Sequence, residues 1–439
     1  MNTDCLENEI AIAGAGIAAA AVAIQLLRDG FRPVLIDRGL PSSKGIEAIS
    51  ESALRLFAAL DLLPALEQAG GVWVAGFENA WQSHEPILRS GRYLHVDRTA
   101  LLQATIATAI DRGAVLTACH TLPAIRIAGD RAYVTIDRVE RPFAAAIDAT
   151  GRSAIWSRSI RWQQQEIAEI YDAIGDPNCL RGRIARIADG WVYRLGLPDR
   201  MTVGVVRSQR LRGQIDNALV NASLDLPNHT QLRFLGRRPA VPQWAAAPIQ
   251  DCRIAVGDAA LASNPIAGQG IRFALSSALA AAAVVRTWRD SPANRAGATE
   301  FYNELVATER QQHLASIDAL YFNEPVSTTN HQLSQPILDR TNLPATVCFT
   351  GQIKTMNLYI DGLIQPSAAL ILADGKAVRW LGNFDLLTLQ EFGREPIVTA
   401  IAIEHLRSTS MSQESALSLI QWCLEHQIFA SIPAPQSTL

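Results

Sequence analysis

The sequence predicts an α/β (α+β) protein, and three observations carry that expectation. A strand–helix–strand unit stands complete over residues 10–37, a period-two meander over 124–147 feeds a further strand, and the composition shifts toward Asn, Thr, Ser and Pro between Glu324 and Pro344. In the opening unit, Ile10-Ala11-Ile12-Ala13 is a short apolar run that stops at glycines, as a strand buried on both faces does. A stretch rich in Ala, Ile and Leu continues to Arg28, with Gly30 where a helix C-cap belongs. Pro33-Val34-Leu35-Ile36-Asp37 then reads as a second buried strand, which completes a Rossmann-like βαβ start.

The later elements follow in order. A helix is expected from Glu51 to Gln68, ended by Gly70-Gly71, and another from Arg98 to Ile110, stopped by Gly113. Ile125 and Ile127, then Ala132, Val134 and Ile136, alternate about a turn at Gly129-Asp130. That meander leads into a strand ending at Asp148-Ala149-Thr150-Gly151. Residues 155–245 mix strand-like stretches, Trp191 to Leu197 and Met201 to Val206, with polar helices, and are expected to form an antiparallel, substrate-facing layer. Arg253 to Val256 is a short strand, and a long Ala-rich helix starts near Gly270.

Past the compositional shift, read as a linker, a small C-terminal domain of helices and short strands is expected. Its helix opening at Ser412-Gln413-Glu414 and running to His426 gives it a winged-helix-like look. The expected division is a discontinuous cofactor domain (1–75, 95–155 and 246–330), a middle substrate domain (76–94 and 156–245) and the C-terminal domain (331–439). Neither internal repeats nor low-complexity tracts occur.

A net charge of −3 over 439 residues argues against a broad electrostatic footprint for nucleic acid or an anionic membrane. The six cysteines lie far apart, without CxxC or zinc-finger spacing, and read as free thiols; no metal site is expected. The acidic start MNTDCLENE is the opposite of a signal peptide. Of two apolar runs, Ile10 to Leu27 is broken by Gly14 and Gly16, and Phe273 to Val285 is short for a bilayer span. A soluble, cytoplasmic protein is the expectation, with the oligomeric state left open. The eight histidines are scattered, and His95 reads as structural.

Chemistry enters with Gly14-Ala15-Gly16-Ile17-Ala18-Ala19, a GxGxxA pattern directly after a strand and before a helix. Gly14 permits the tight turn, Gly16 lets backbone approach a pyrophosphate, and Ala19 is small enough for helix to pack on strand. Free N–H groups and the positive end of the helix starting at Ile17 would hold the phosphates. Asp37, followed by Arg38, closes the second strand where an acidic side chain binds ribose hydroxyls. Further on come Asp148-Ala149-Thr150-Gly151 and Gly257-Asp258-Ala259-Ala260, then Pro265-Ile266-Ala267-Gly268-Gln269-Gly270-Ile271. Each also reads as an ordinary strand-ending loop. Asp258 is suited to accept bonds from polyol hydroxyls, and a helix starting at Gly270 presents N–H groups to an electron-rich ring.

In this order, with Asp97-Arg98 between, the segments resemble FAD-dependent monooxygenases of the para-hydroxybenzoate hydroxylase type, and the related flavin-dependent halogenases and geranylgeranyl reductases. The resemblance covers roughly residues 8–330. It implies bound FAD, with Asp258 on the ribityl chain and Arg98 close to the flavin; GxGxxA alone does not separate FAD from NAD. It also implies NAD(P)H and O2 as co-substrates. No second dinucleotide fingerprint stands in the chain, since Gly70-Gly71 to Gly76 lacks a strand–turn–helix context.

Two segments bear on the branch. Lys44-Gly45-Ile46-Glu47 resembles the K-x-GE segment of halogenase-like flavoproteins, with Ile46 intervening, and places Glu47 near the flavin. Gly190-Trp191-Val192-Tyr193-Arg194-Leu195 stands where halogenases carry WxWxIP, with Tyr193 for the second tryptophan and no Ile-Pro. Glu47, Trp191 and Tyr193 are the pocket candidates, although aromatic residues on a strand are more often plain core. Halogenases relay hypohalous acid through a lysine, and no lysine stands between Lys44 and Lys354; arginine is no substitute. A monooxygenase needs orientation and dryness from its protein, and a reduced flavin supplies the oxygen chemistry.

The chain as a whole resembles the flavin monooxygenases of quinohemoprotein amine dehydrogenase maturation. That resemblance implies hydroxylation of a tryptophan on a small partner polypeptide. Arginine-rich stretches such as Arg207 to Arg212 and Arg237-Arg238 read as a face for an acidic partner or, more often for such runs, as a solvated face. Two other readings stand beside it: a halogenase-like or reductase enzyme acting on a small molecule, and a non-catalytic escort protein built on the same fold.

Overall fold

A computed structural model describes residues 8–39, 45–81, 86–162, 166–208, 216–321 and 343–432, apart from 374, 383 and 410. Lys44, Cys5, residues 209–212 and nearly all of the expected linker fall outside these. The chain divides into two compact units: Met1–Arg295 with Tyr302–Pro325, and Ala296–Phe301 with Val326–Leu439.

The first unit is built on two large sheets. One has six strands in the order Ile249–Gln250, Arg253–Ala255, Ala145–Asp148, Glu9–Ala13, Arg32–Asp37 and Val115–Ala118. Its pairings are parallel except for the edge hairpin of the first two, with Ile10 opposite both Ala145 and Pro33. Ile10 to Ala13 are wholly buried, as expected for a strand covered on both faces. The carboxyl ends of strands Glu9–Ala13, Ala145–Asp148 and Arg253–Ala255 therefore lie side by side, and the three glycine-bearing motifs leave the sheet at that edge.

The other large sheet has eight strands, in the order Arg233–Pro239, Glu166–Ile174, Arg200–Ser208, Gly190–Gly196, Gly182–Ile187, Gly71–Ala80, Ile87–Asp97 and Ile46–Ser50. It is antiparallel except where Gly182–Ile187 runs parallel to Gly71–Ala80. The meander forms its own three-stranded sheet (Ala124–Ala128, Arg131–Ile136, Val139–Phe143), and its middle strand alternates buried and half-buried side chains as the sequence pattern requires.

Three details depart from the sequence reading. The helix expected from Glu51 to Gln68 is two helices, Glu51–Ala59 and Leu63–Ala69. Asp61 between them takes a left-handed φ of 51°. Two arginines cap the carbonyls left free there: Arg28 donates to Ala59 O at 2.7 Å, and Arg112 to Leu60 O and Asp61 O at 3.1 and 2.9 Å. Among the described residues of 155–245, one short α-helix, Asn217–Ser223, and one 3-10 turn, Pro177–Cys179, stand where several helices were expected. The apolar run Phe273–Val285 is part of a 21-residue helix, Gly270–Asp290, which has the length and composition of a bilayer span. Its Phe273, Leu275, Ala278, Ala281, Ala282 and Val285 are buried, and it packs on helix Ile17–Arg28, so burial rather than length marks it as a core helix.

The second unit has a core of Val347, Leu370, Leu389, Leu406, Leu419, Ile420 and Phe429. A small sheet of Ile397–Val398, Thr346–Phe349 and Phe429–Ile432 and a hairpin of Gln352–Ile360 with Leu363–Ile371 accompany helices Thr399–Ser408 and Gln413–Glu425. Ser412 caps the last helix by accepting from Ser415 N at 3.1 Å.

Candidate functional site

The glycine turn after Glu9–Ala13 is built against a neighbouring turn. Gly14 has φ +104°, donates its N–H to Ile36 O at 2.8 Å, and lies so close to Ala149 that a Cβ would stand 2.6 Å from Ala149 O. Gly16 is different: it is extended (φ −97°, ψ −175°), caps helix Ile17–Arg28 without any side-chain bond, and has nothing within 4 Å of where a Cβ would be. The first turn of that helix thus offers uncapped N–H groups beside open space. Ala19 is fully buried, and a Cβ at Gly257 would meet Ala18 Cβ at 2.9 Å, which explains the small residues at both places. Asp37 ends its strand with Oδ1 accepting from Gly39 N at 3.0 Å, and Arg38 beside it is exposed.

Asp148 is completely buried and its carboxylate is engaged inward. Oδ1 accepts from Thr150 N (3.2 Å) and Thr150 Oγ1 (2.6 Å), and Oδ2 accepts from Trp156 N (2.9 Å). It braces the turn on which Gly151 (φ +63°) leaves open space where a Cβ would stand. Arg152, next in the chain, donates to Val241 O at 2.6 Å and Ser263 O at 2.5 Å, and its Nε lies 3.9 Å from Asp258. Desolvation pushes the Asp258 carboxyl above the usual range, against the opposing pull of Arg152 and Arg98.

The segment Pro265–Ala267 is a single 3-10 turn, followed by Gly268 in the left-handed region (φ +59°) with open space at its Cβ position. Gln269, Gly270 and Ile271 then open helix Gly270–Asp290. Asn264 holds the near end: its N–H donates to His313 Nε2 (2.9 Å), its Oδ1 accepts from Ile266 N (3.0 Å), and its Nδ2 donates to Glu166 (3.0 Å).

Two of the pocket candidates share one face of the eight-stranded sheet. Trp191 and Tyr193 lie two apart on strand Gly190–Gly196, ring centroids 5.7 Å apart, and Trp81 adds a third ring 6.4 Å from Trp191. Trp191 is buried and packs with Trp81, Ile170 and Val206; Tyr193 is the less buried of the two. Gly204 stands directly opposite Tyr193, and a Cβ there would overlap the ring at 1.9 Å. The phenol is pushed up to about 12 by burial and by Glu47, with Arg238 and Arg98 pulling the other way. Glu47 itself pairs with Arg98 at 2.9 Å, and Asp97 caps the helix that Arg98 begins. A neutral phenol, a carboxylate and two guanidinium groups thus share this region. His95 is buried, its Nδ1–H donates to Gly196 O (3.1 Å), and burial lowers its pKa below the usual imidazole value.

Sequence reading missed Arg152, Asn264, His313 and Gly204, because each works through a partner from another segment, and it read Arg238 as part of a charged face where the structure sets it beside Tyr193. His313 is the most consequential. Burial and the Arg152 charge push it from 6.5 down to about 4. Between those values the unfolded chain binds a proton that the folded chain refuses, so stability should fall as pH drops from about 6.5 toward 4, by roughly 3 kcal/mol in all. H313Q should flatten that part of the stability-versus-pH curve in urea titrations, and an unchanged acid slope would show that the imidazole is not its source.

Among the described residues, no group of His, Cys, Asp and Glu is arranged to hold a metal ion. The described cysteines are unpaired thiols, and Cys119, Cys179, Cys252 and Cys423 are buried.

No family model and no curated protein matches the chain. Solved structures share its fold at low identity. QhpG, a peptidyl tryptophan dihydroxylase essential for tryptophylquinone cofactor biogenesis, has a TM-score of 0.68 at 20% identity, covering 96% of this chain and 99% of its own. CmlS, a flavin-dependent halogenase, has a TM-score of 0.76 at 15% identity, covering 97% of this chain and 96% of its own. The myxobacterial chondrochloren halogenase CndH, a variant of FAD-dependent halogenases, reaches 0.63 at 17% identity over 71% of this chain and 82% of its own. The architecture is therefore that of flavin-dependent halogenases and hydroxylases, and the first two likenesses extend over the C-terminal unit as well.

Proposed function

We propose that this protein is an FAD-dependent monooxygenase that hydroxylates an aromatic group, specifically a tryptophan side chain carried on a partner polypeptide. The observation that carries flavin binding is the set of Gly16, Gly151 and Gly268. They come from three separate segments, and each has open space where any other residue would place a Cβ. The first two leave the carboxyl ends of neighbouring parallel strands, the edge at which sheets of this kind bind their ligands.

The residues fit FAD in detail. The N–H groups following Gly14 and Gly16, up to Ala19, suit the diphosphate; Asp37 and Arg38 suit the adenosine ribose; Asp258 suits the ribityl hydroxyls. The N–H groups at Gly268, Gln269, Gly270 and Ile271 suit the electron-rich end of the ring, with Glu47 and Arg98 nearby. Bound FAD, reduced by NADH or NADPH, supplies the chemistry that activates O2. The chain contributes a dry aromatic wall of Trp81, Trp191 and Tyr193, and a phenol that stays protonated at neutral pH and so donates a hydrogen bond rather than acting as a base.

The full-length likeness to QhpG supports a peptidyl tryptophan as substrate. The likeness to CmlS favours a second reading, a halogenase-like enzyme served by a separate flavin reductase. The lysine-free stretch from residue 45 to 353 weighs against it.

The test is an absorption spectrum of the purified protein, then NADPH or NADH consumption in air with and without a tryptophan-bearing polypeptide. Partner-stimulated consumption with oxygen gained in mass on the polypeptide is expected; bromide- or chloride-dependent product would overturn the assignment. Asp258→Ala should lower FAD affinity about tenfold, the size of losing a hydrogen bond to a charged acceptor. Unchanged flavin content after gel filtration would remove Asp258 from the site.

A further inference from the structure

Helix Arg295–Tyr321 carries a polar pair, one member buried and one half-buried, that none of the cofactor motifs explains. Tyr302, Val306, Glu309, His313 and Ile317 follow one another at helical spacing along one stripe. Tyr302 is fully buried and donates to Ala255 O at 2.6 Å, which fixes the helix to the end of a parallel strand. A turn or two further, Glu309 and His313 stand four residues apart: His313 bonds the loop Asn264–Gly270 directly, and Glu309 reaches it through Arg272. His313 Nε2 accepts the Asn264 N–H at one end of the loop. Glu309 holds Arg272, whose Nε donates to Gln269 Oε1 at 2.6 Å, at the other end.

We propose that His313 and Glu309 form a two-point clamp that positions the loop Asn264–Gly270, and with it the N–H groups offered to the flavin ring. The proposal rests on the flavin assignment above and adds to it the residues that fix the geometry of those donors.

The loop has few other supports. Pro265–Ala267 makes one 3-10 turn, Gly268 is left-handed, and Gly268 N donates to Pro265 O at 3.1 Å. Arg152 holds Ser263 O just before it. Asn264, only 1% exposed, gathers what remains: bonds to Ile266 N, to Glu166 on the eight-stranded sheet and to His313. An acceptor is required at residue 313, because the Asn264 N–H is buried and a buried donor left without a partner is costly. Neutral imidazole with its proton on Nδ1 meets this need: burial beside Arg152 favours the neutral ring, and the Asn264 N–H donated to Nε2 selects the tautomer. A loop held at both ends keeps its N–H groups aimed before the cofactor's charge changes, which is where oriented dipoles stabilise most.

The experiment compares His313→Leu with His313→Gln, whose side-chain oxygen reaches the place of Nε2 and can accept the same N–H. FAD affinity is read by flavin fluorescence, and the two-electron reduction potential by dye equilibration. H313L should bind FAD about tenfold more weakly and hold reduced flavin a further tenfold less well, a potential about 30 mV more negative. H313Q should stay within about threefold of wild type in affinity and keep its potential. Wild-type potential in H313L, or equal losses in H313L and H313Q, would overturn the clamp.

Should H313L fail to fold, E309Q tests the other end and should shift the potential in the same direction; an unmoved potential there overturns the proposal equally. If wild-type protein takes up no FAD, the flavin assignment falls. The clamp is then judged by amide hydrogen exchange across residues 263–271, where loss of the acceptor must speed exchange about tenfold.

Discussion

Gly16→Val is expected to leave the apoprotein folded and to remove FAD binding, whereas Gly14→Val is expected to cost the fold itself. The two glycines stand two residues apart in one motif, and the structure gives them opposite reasons for being glycine. At Gly16 the backbone is extended and nothing lies within 4 Å of the added Cβ, so valine meets no protein atom. Its only penalty is a poorer N-cap, about 1 kcal/mol. The same Cβ and its methyls fill the space through which a diphosphate would reach the helix N–H groups, and FAD affinity should fall at least about a hundredfold, by analogy with the second glycine of such turns.

At Gly14 the added Cβ lies 2.6 Å from Ala149 O and 2.9 Å from its carbonyl carbon, in backbone with φ +104°. Neither side can yield, because Ala149 N donates to Ala13 O and Gly14 N to Ile36 O, which locks three strands together. Left-handed strain and backbone overlap together come to about 4 kcal/mol, a large share of a domain's stability. Urea denaturation of the two apoproteins, with FAD titration of whichever folds, separates the cases. An unfolded G16V, or a G14V as stable as wild type, would reverse the roles assigned to these positions.

That contrast also shows what a sequence makes legible. The GxGxxA turn, its flanking strands and Asp37 are read from local pattern, since the motif's parts lie within about thirty residues and each residue type answers to its immediate backbone. The meander was legible for the same reason, as period-two alternation needs no knowledge of distant partners. The split at Asp61 was not, because the arginines that cap the broken helix come from Arg28 and Arg112, one on each side and tens of residues away. Gly204 carries no local signal, since its reason, the Tyr193 ring lying across it, sits on the neighbouring strand. His313 and Asn264 carry no motif at all, and a hydrogen bond spanning 49 residues leaves no periodic trace. Trp191 and Tyr193 are legible as pocket candidates, yet which of them is the more buried is decided by the neighbouring strands.

Asp148→Ala should be the most damaging substitution outside the glycines, and its route to lost function runs through the turn rather than through the cofactor. The carboxylate is fully buried and takes three hydrogen bonds from its own chain, two of them from the N–H groups of Thr150 and Trp156. It also offsets the half-buried Arg253, whose guanidinium holds Trp156 O. Alanine leaves both N–H donors unsatisfied, at about 1–3 kcal/mol each, and takes away the charge that faces Arg253. A loss of about 4 kcal/mol follows, seen as a lower urea midpoint with unchanged m-value. In whatever fraction still folds, the turn 149–156 loses its brace, and Ala149 is the wall against which Gly14 is set, so FAD affinity should fall as well. D148N separates the two effects: one oxygen still accepts, stability should be partly restored, and flavin affinity should return in step with it. If D148N instead regained full stability while flavin stayed lost, the carboxylate would have a direct part in holding the cofactor, and the inward assignment of its bonds would be wrong.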